Sequence, residues 1–193
     1  MLHSDTLAED EIVRVRGIDC TTAARTAFDL GRRGPLLPAV VNVDALRQSS
    51  RVKLVAVHEL IERHRGARGL VRLRRVLELS DPGAESPQET RLRLVLTFAG
   101  MRPSRTQIEV FGQWGELIGR IDMGWPEYKI GVQYDGIQHW DDPRQRTRDI
   151  DQDAEYREQG WHIIRVGADL LRNRQFIIIQ RVGDVLRARR ACA

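Results

Sequence analysis

Asp122, Gln133, Asp135 and Glu89 are the side chains of this 193-residue sequence whose types and spacing could do chemistry. Asp122 closes one strand-like stretch. Gln133 and Asp135 flank Tyr134 near the end of the next, and Gly136 breaks it. Strand alternation puts Gln133 and Asp135 on one face. If the two strands pair as a hairpin, Asp122 lies beside them, and Glu89 approaches from the first turn of the preceding helix. Carboxylate and amide oxygens gathered in this way are hard ligands suited to Mg²⁺ or Mn²⁺. Such an ion clamps a phosphate and activates water for phosphodiester hydrolysis.

The elements that must position these groups are readable from pattern. Residues 1–80 read as successive helices with no strand-like alternation. TAARTAFDLGRR is capped by Thr21 or Thr22, a second helix starts near Pro38, a third runs from Val52 to His64, and a fourth from Leu70 to Leu79. Asp81-Pro82-Gly83 is a turn that separates this section from a second one over residues 84–190. There, Ser86 and Glu89 form a capping box, with Pro87 at the first helical position, and the helix stops at Gly100. Strands are predicted over Gln107–Phe111, Leu117–Met123 and Lys129–Tyr134. A helix from Asp142-Pro143 to Gly160, a strand over Trp161–Val166 and a helix over Gln175–Arg189 complete the order α-β-β-β-α-β-α. The expected class is α/β behind an all-helical front section.

Composition narrows the function classes. Hydrophobic residues make up 41% and charged residues 30%, which supports a packed core rather than disorder. No apolar run of 18 residues exists and the N-terminus lacks a leader pattern, so a cytoplasmic protein without a membrane is expected. Cys20 and Cys192 form neither a zinc spacing nor a disulfide framework. The net charge of +4 is unevenly spread: residues 41–80 carry nine basic and four acidic side chains, residues 81–160 ten and fifteen, and residues 161–193 seven and two. An acidic centre between basic flanks suits a metal site whose surroundings hold a polyanion.

RIDMGWPEYKIGVQYDGIQHW resembles the core of the PD-(D/E)xK nuclease superfamily. More narrowly, it resembles the uncharacterised endonuclease-like family related to very-short-patch repair (Vsr) endonucleases. The resemblance rests on S-x-x-E at Ser86–Glu89, the aspartate Asp122, and an E-x-D-G-x-x-H string represented by Gln133-Tyr134-Asp135-Gly136-Ile137-Gln138-His139. It continues in an arginine-rich acidic helix running into G-W-x-x-x-R-V at Gly160–Val166. The front section resembles the middle part of actinobacterial proteins that are compared with AbiEi-type antitoxins. The resemblance implies a restriction-endonuclease-like core, a Mg²⁺- or Mn²⁺-dependent DNA endonuclease activity, and a set of roles. Asp122 is the chief metal ligand, Gln133 replaces the usual glutamate, the Tyr134 carbonyl adds a ligand, and Glu89 holds metal directly or through water. Asp135 sits where other members keep a lysine, and His139 is the general acid or base. Lys129 or Arg120 could supply the missing cation.

Plainer explanations compete at several positions. Glu89 is accounted for as a capping residue. Asp149 and Asp153, one helical turn apart, suit pairing with Arg146 or Arg157. His58-Glu59 with His64 does not make a zinc motif, because position 62 is Glu62. Arg63, Arg65, Arg68, Arg72, Arg74 and Arg75, together with Lys129, either grip the phosphates of DNA or form a solvated face. Two functions follow: a metal-dependent DNA endonuclease, or an inactive nuclease-fold module that binds nucleic acid or a partner protein in a defence or toxin–antitoxin setting. A homodimer is a further option.

Overall fold

The computed structural model describes residues 6–136 and 143–191, with the backbone alone for residues 143–149. The chain divides into two compact units, Met1–Glu85 and Ser86–Ala193.

The first unit opens with a hairpin. Strands β1 (Ile12–Val15) and β2 (Ile18–Thr21) pair antiparallel, and the Val15–Ile18 pair leaves Arg16 and Gly17 as a two-residue turn. Both turn residues have positive φ, 50° and 82°, the conformation whose twist matches that of the flanking strands. This corrects the expectation of a wholly helical front section. IVRVRGIDCT does alternate, but its apolar members face solvent: Val15 is 50% and Ile18 67% exposed, so no core-facing stripe announces the strands.

Four helices follow: α1 (Ala23–Arg32), α2 (Leu36–Ser50), α3 (Leu54–Arg63) and α4 (Leu70–Leu79). Thr22 caps α1 by accepting the Arg25 N–H at 3.3 Å. Helix α2 starts two residues before Pro38, because a proline in the first turn forfeits only an N–H that has no helical partner. Helix α1 packs against the other three, and Phe28, Val43, Val57, Leu60 and Leu73 are sealed between them. Truncating one of these to alanine costs about 2–5 kcal/mol through lost transfer energy and the cavity left behind.

The second unit is a mixed α/β layer structure. Helix α5 (Pro87–Phe98) precedes strands β3 (Arg105–Phe111), β4 (Leu117–Trp125) and β5 (Ile130–Asp135). Helix α6 (Pro143–Glu158), strand β6 (His162–Gly167), and helices α7 (Ala168–Asn173) and α8 (Gln175–Arg190) complete it. The sheet order is β3-β4-β5-β6; β3, β4 and β5 are antiparallel neighbours, and β6 runs parallel to β5. Leu92 and Leu96 of α5 and Ile178, Val182 and Leu186 of α8 join Val132 and Val166 in one core. A second cluster unites Ile108, Val110 and Ile121 with Tyr156 of α6. The predicted order therefore holds for this unit, except that α7 was not expected. Among the described residues no helix is long and apolar enough to cross a membrane.

The hairpin is tied to the helices of its own unit by buried charge. Glu11, 1% exposed, receives Arg25 on one oxygen and His64 Nε2 on the other. Arg25, 2% exposed, also donates to Asp29 at 2.9 Å, and its guanidinium lies 5.4 Å from the centre of the Phe28 ring. Burial works to raise the Glu11 pKa, but the hydrogen bonds from His64 and Arg25 outweigh it and hold the group below its ordinary 4.5. Asp29 is held below 3.8 in the same way by Arg25 and Arg32. A depressed carboxylate contributes stability that is complete above the unfolded pKa and is lost as pH falls through the folded one. Glu11→Gln should therefore destabilise this unit by about 3–5 kcal/mol at neutral pH, because Arg25 is left buried without one partner. It should also flatten the loss of stability below pH 4.5. Urea unfolding across a pH series checks both; a variant as stable as the wild type at pH 7 would refute the account.

Candidate functional site

The sheet comes apart where the sequence places its candidate residues. Strands β4 and β5 pair only at Met123–Val132, Gly124–Gly131 and Trp125–Ile130, all toward the turn that joins them. The next residues along are Asp122 and Gln133, and there side chains replace the ladder. The Asp122 carboxylate accepts the Tyr134 backbone N–H at 2.7 Å. The Gln133 side-chain amide donates to the Arg120 carbonyl at 3.2 Å. The expected hairpin is thus present, with Asp122 beside β5.

The ladder on the other side of Asp122 is interrupted too. Strands β3 and β4 pair at Thr106–Met123 and Ile108–Ile121 but omit Gln107, which stands opposite Asp122. Gln107 has φ of 50°, a left-handed conformation that a side chain other than glycine adopts at a cost of about 1–3 kcal/mol. Its amide donates to Glu89 Oε2 at 3.2 Å, and Glu89 in turn gives its backbone N–H to Ser86 Oγ at 3.2 Å. Glu89 is thereby both part of the α5 cap and linked, through Gln107, to the strand position facing Asp122.

One atom in this gap lacks a partner. Among the described residues, the buried Gln133 Oε1 accepts no hydrogen bond. The amide cannot simply be turned over, because Oε1 would then face the Arg120 carbonyl. Leaving a buried acceptor unmet costs about 1–3 kcal/mol. Asp135 ends β5 on the same face as Gln133 by alternation. Asp122, Tyr134, Asp135 and Glu89 are all half-buried. Among the described residues no three His, Cys, Asp or Glu side chains gather as a metal-holding group. His139 lies outside the described residues.

The cations differ from expectation. Lys129 immediately precedes β5, roughly 20 Å of strand from Asp135, and donates to the Gln159 carbonyl at the end of α6 at 2.8 Å. It cannot stand in for a lysine at position 135. Arg165 is a cation that the sequence pattern does not single out. It lies on β6 in register with Gln133 and pairs with Asp153 on α6 at 2.8 Å, so Asp153 engages a strand residue rather than Arg157 of its own helix. The only hint in the sequence is a charged residue inside the apolar string WHIIRV. Tyr156, one turn from Asp153, is fully buried, and among the described residues its hydroxyl has no partner. Burial pushes that hydroxyl up to about 12; Arg165 works against the shift, whereas Asp153, Asp122 and Glu155 add to it. Close approach of α6 depends on Gly119, where a methyl group would meet Gln152 Nε2 at 2.3 Å and the Tyr156 oxygen at 2.4 Å.

In the first unit, the arginines expected to touch phosphate are exposed, and several carry surface partners. Arg63 pairs with Asp10 at 2.6 Å, Arg65 with Glu62 at 2.7 Å and Arg75 with Glu78 at 2.7 Å. Arg72 reaches the Arg32 carbonyl at 3.4 Å, and Arg68 is exposed. Exposed pairs of this kind are worth about 0–1 kcal/mol and exchange readily for other anions.

Two uncharacterised proteins of Mycobacterium tuberculosis, from different strains, are similar to this chain, each 31% identical over 179 residues. The similarity covers 92% of this chain and 66% of each relative, so the chain spans roughly two thirds of their length. No family model matches the chain. No solved structure matches it.

The packing of α6 gives a direct test. Tyr156→Phe should leave stability within about 1 kcal/mol of the wild type, since the hydroxyl gives up no bond. Gly119→Ala should cost about 1–3 kcal/mol by overpacking, and Tyr156→Phe should recover part of that loss in the double variant. Urea denaturation of the four proteins checks the cycle; a drop above 2 kcal/mol for Tyr156→Phe alone would show that the hydroxyl is bonded.

Proposed function

We propose that residues 84–190 form a PD-(D/E)xK-type nuclease-fold domain, of the branch related to Vsr endonucleases, that hydrolyses phosphodiester bonds in DNA with Mg²⁺ or Mn²⁺. The order of elements and the resemblance around Asp122 support the fold. The observation that carries the function is the parted β4–β5 ladder, where the Asp122 carboxylate and the Gln133 amide replace backbone pairing and the Gln133 oxygen has no donor among the described residues. A buried acceptor with no donor among the described residues fits an oxygen-seeking cation, and the donor set is hard throughout. Asp122 and Gln133 Oε1 would hold such an ion, with the Tyr134 carbonyl and Glu89 as further ligands, and the ion would polarise a phosphate and lower the pKa of water.

The chain's own groups have defined tasks in this reading. The Tyr134 N–H orients the Asp122 carboxylate, and the Arg120 carbonyl holds Gln133 so that its oxygen, not its nitrogen, faces the gap. Gln107 fixes Glu89. His139 moves the proton, and the exposed arginines hold the DNA backbone without reading its sequence. Cytoplasmic location belongs to the same proposal. So does a partner protein or a second copy of the chain as a further component.

A second reading is a nuclease-fold module that binds nucleic acid without cutting it. The absence of three clustered acidic, His or Cys side chains among the described residues favours it. Glutamine at position 133 does so as well, since it withholds one negative charge from the metal.

Plasmid nicking with Mn²⁺ or Mg²⁺ separates the two. The wild type should nick. Asp122→Asn should not, although its amide oxygen still accepts the Tyr134 N–H and the fold is kept. Equal inertness of both proteins over long incubation, with DNA still retained at low salt, selects the binding module. In calorimetry Gln133→Glu should bind divalent metal more tightly; an unchanged affinity would remove position 133 from the metal shell.

A further inference from the structure

Four basic side chains meet at the other end of β5, away from Gln133. Lys129 stands between the turn Pro126–Tyr128 and the strand, with φ of 50°. Glycine or asparagine takes that left-handed conformation most readily, so local preference does not account for a lysine there. Its Nζ donates to the Gln159 carbonyl at 2.8 Å, and its own backbone carbonyl accepts the His162 N–H at 2.8 Å. Gly160 lies against the same side chain: a methyl group there would be 3.4 Å from the lysine Cδ and 3.6 Å from its Nζ. From α8, Arg189 donates to the Gly160 carbonyl at 3.3 Å, and the Arg190 guanidinium lies 5.5 Å from the centre of the Tyr128 ring. Lys129, His162, Arg189 and Arg190 are all exposed. Arginines in the last turn of a helix favour its negative end. That accounts for their presence on α8, but not for their reach onto Gly160 and Tyr128 of other elements.

The partners of these cations are carbonyl oxygens and a ring, which carry no charge. Among the described residues Lys129, Arg189 and Arg190 form no ion pair, whereas Arg187 of the same helix pairs with Asp184. Glu127, beside the turn, accepts the Ser104 hydroxyl at 2.8 Å. Three like charges gathered in this way attract an anion, and the ammonium and both guanidiniums keep N–H donors for it. The positive field registers on His162: burial is the first cause of its lowered pKa, and the charge of Arg189 adds to it. A carboxylate brings one charge and two oxygens to such a corner. A phosphate brings more of both, and guanidinium and ammonium groups suit its oxygens. We propose that Lys129, Arg189 and Arg190 bind a phosphate group at this corner, either as the free anion or as part of a nucleic-acid backbone. The site is distinct from the one proposed for hydrolysis, since roughly 13 Å of strand separates Lys129 from Gln133. It needs no metal and breaks no bond.

His162 reports occupancy of the corner without any assay of cleavage. The histidine ring resonances of the full chain are followed by NMR across pH, with and without inorganic phosphate, the His162 signal being the one lost in His162→Gln. A bound phosphate should raise the His162 pKa, and acetate at equal ionic strength should not. Arg189→Gln should raise the same pKa in the absence of phosphate, because a nearby positive charge is gone, and should blunt the response to phosphate. In calorimetry Arg189→Gln and Arg190→Gln should each weaken phosphate binding about tenfold. Both positions are exposed on the last helical turn, so the circular dichroism spectrum should not change. A short DNA duplex, added without divalent metal, is the second arm. A duplex that shifts His162 in the wild type but not in Arg189→Gln identifies the phosphate as that of a nucleic-acid backbone. A duplex that leaves His162 unmoved while inorganic phosphate shifts it identifies the free anion. A His162 pKa indifferent to both, an equal response to acetate, or unweakened binding in the two folded arginine variants overturns the proposal.

Discussion

A strand amide inside a sheet must find an acceptor, and at Tyr134 the acceptor is a carboxylate rather than a carbonyl. That substitution lets β4 and β5 separate without orphaning the backbone, and the distinctive features of the second unit follow from the separation. Because the strands part, Gln133 can turn its amide toward the Arg120 carbonyl. Because Gln133 is held in that way, its oxygen is left buried, with no partner among the described residues. Asp122 thus has a structural duty whatever else it does. An isosteric amide is the informative replacement there, since removing the side chain would unpair Tyr134 as well as discharge the site.

The surrounding elements widen the same gap. On β3 the left-handed backbone of Gln107 breaks the ladder opposite Asp122 and sends the amide to Glu89 in the first turn of α5. On the opposite face, the lack of a side chain at Gly119 brings α6 close enough to seal Tyr156 and to present Asp153 to Arg165. Local cost is accepted at three points: a positive φ at Gln107, and an amide oxygen and a phenol that have no partner among the described residues. Such departures from local preference cluster at functional sites more often than elsewhere. Here two lie on β3 and β5, and the third, on α6, packs against Ile121 of β4.

The sequence carried much of this unit. Ser86, Pro87 and Glu89 announced α5 through cap chemistry, and β-rich stretches bounded by Gly and Pro announced the strands. Asp122 stood out because an aspartate in a half-buried strand runs against β-propensity, and Gln133 because it shares a strand face with Asp135 and stands at a position marked by the resemblance. What remained hidden depends on tertiary register. Nothing local tells that Gln107 takes a left-handed conformation, or that Arg165 is in register with Gln133 and pairs with Asp153. Asp153 looked like a partner for an arginine on its own helix, since i, i+4 spacing is visible in a sequence and a cross-element pair is not. The N-terminal hairpin was missed for a related reason. Its apolar residues face outward, so alternation there carried no burial signal, and only the Arg16-Gly17 turn marked it.

That hairpin is attached in an unusual way. Its strand residues from Ile12 to Cys20 are all exposed, and polar contacts hold the segment: Glu11 clasped by Arg25 and His64, Asp10 paired with Arg63, and Thr21 bonded to Thr26. Apolar burial gives unfolding its large heat capacity, and a tether made of charges contributes little of it. Detachment of the hairpin would thus be nearly silent in a calorimeter, yet it would open amide hydrogens of both strands to exchange with solvent. The helices beneath it would set the thermal transition, while acidity, more than temperature, would decide whether the ribbon stays down.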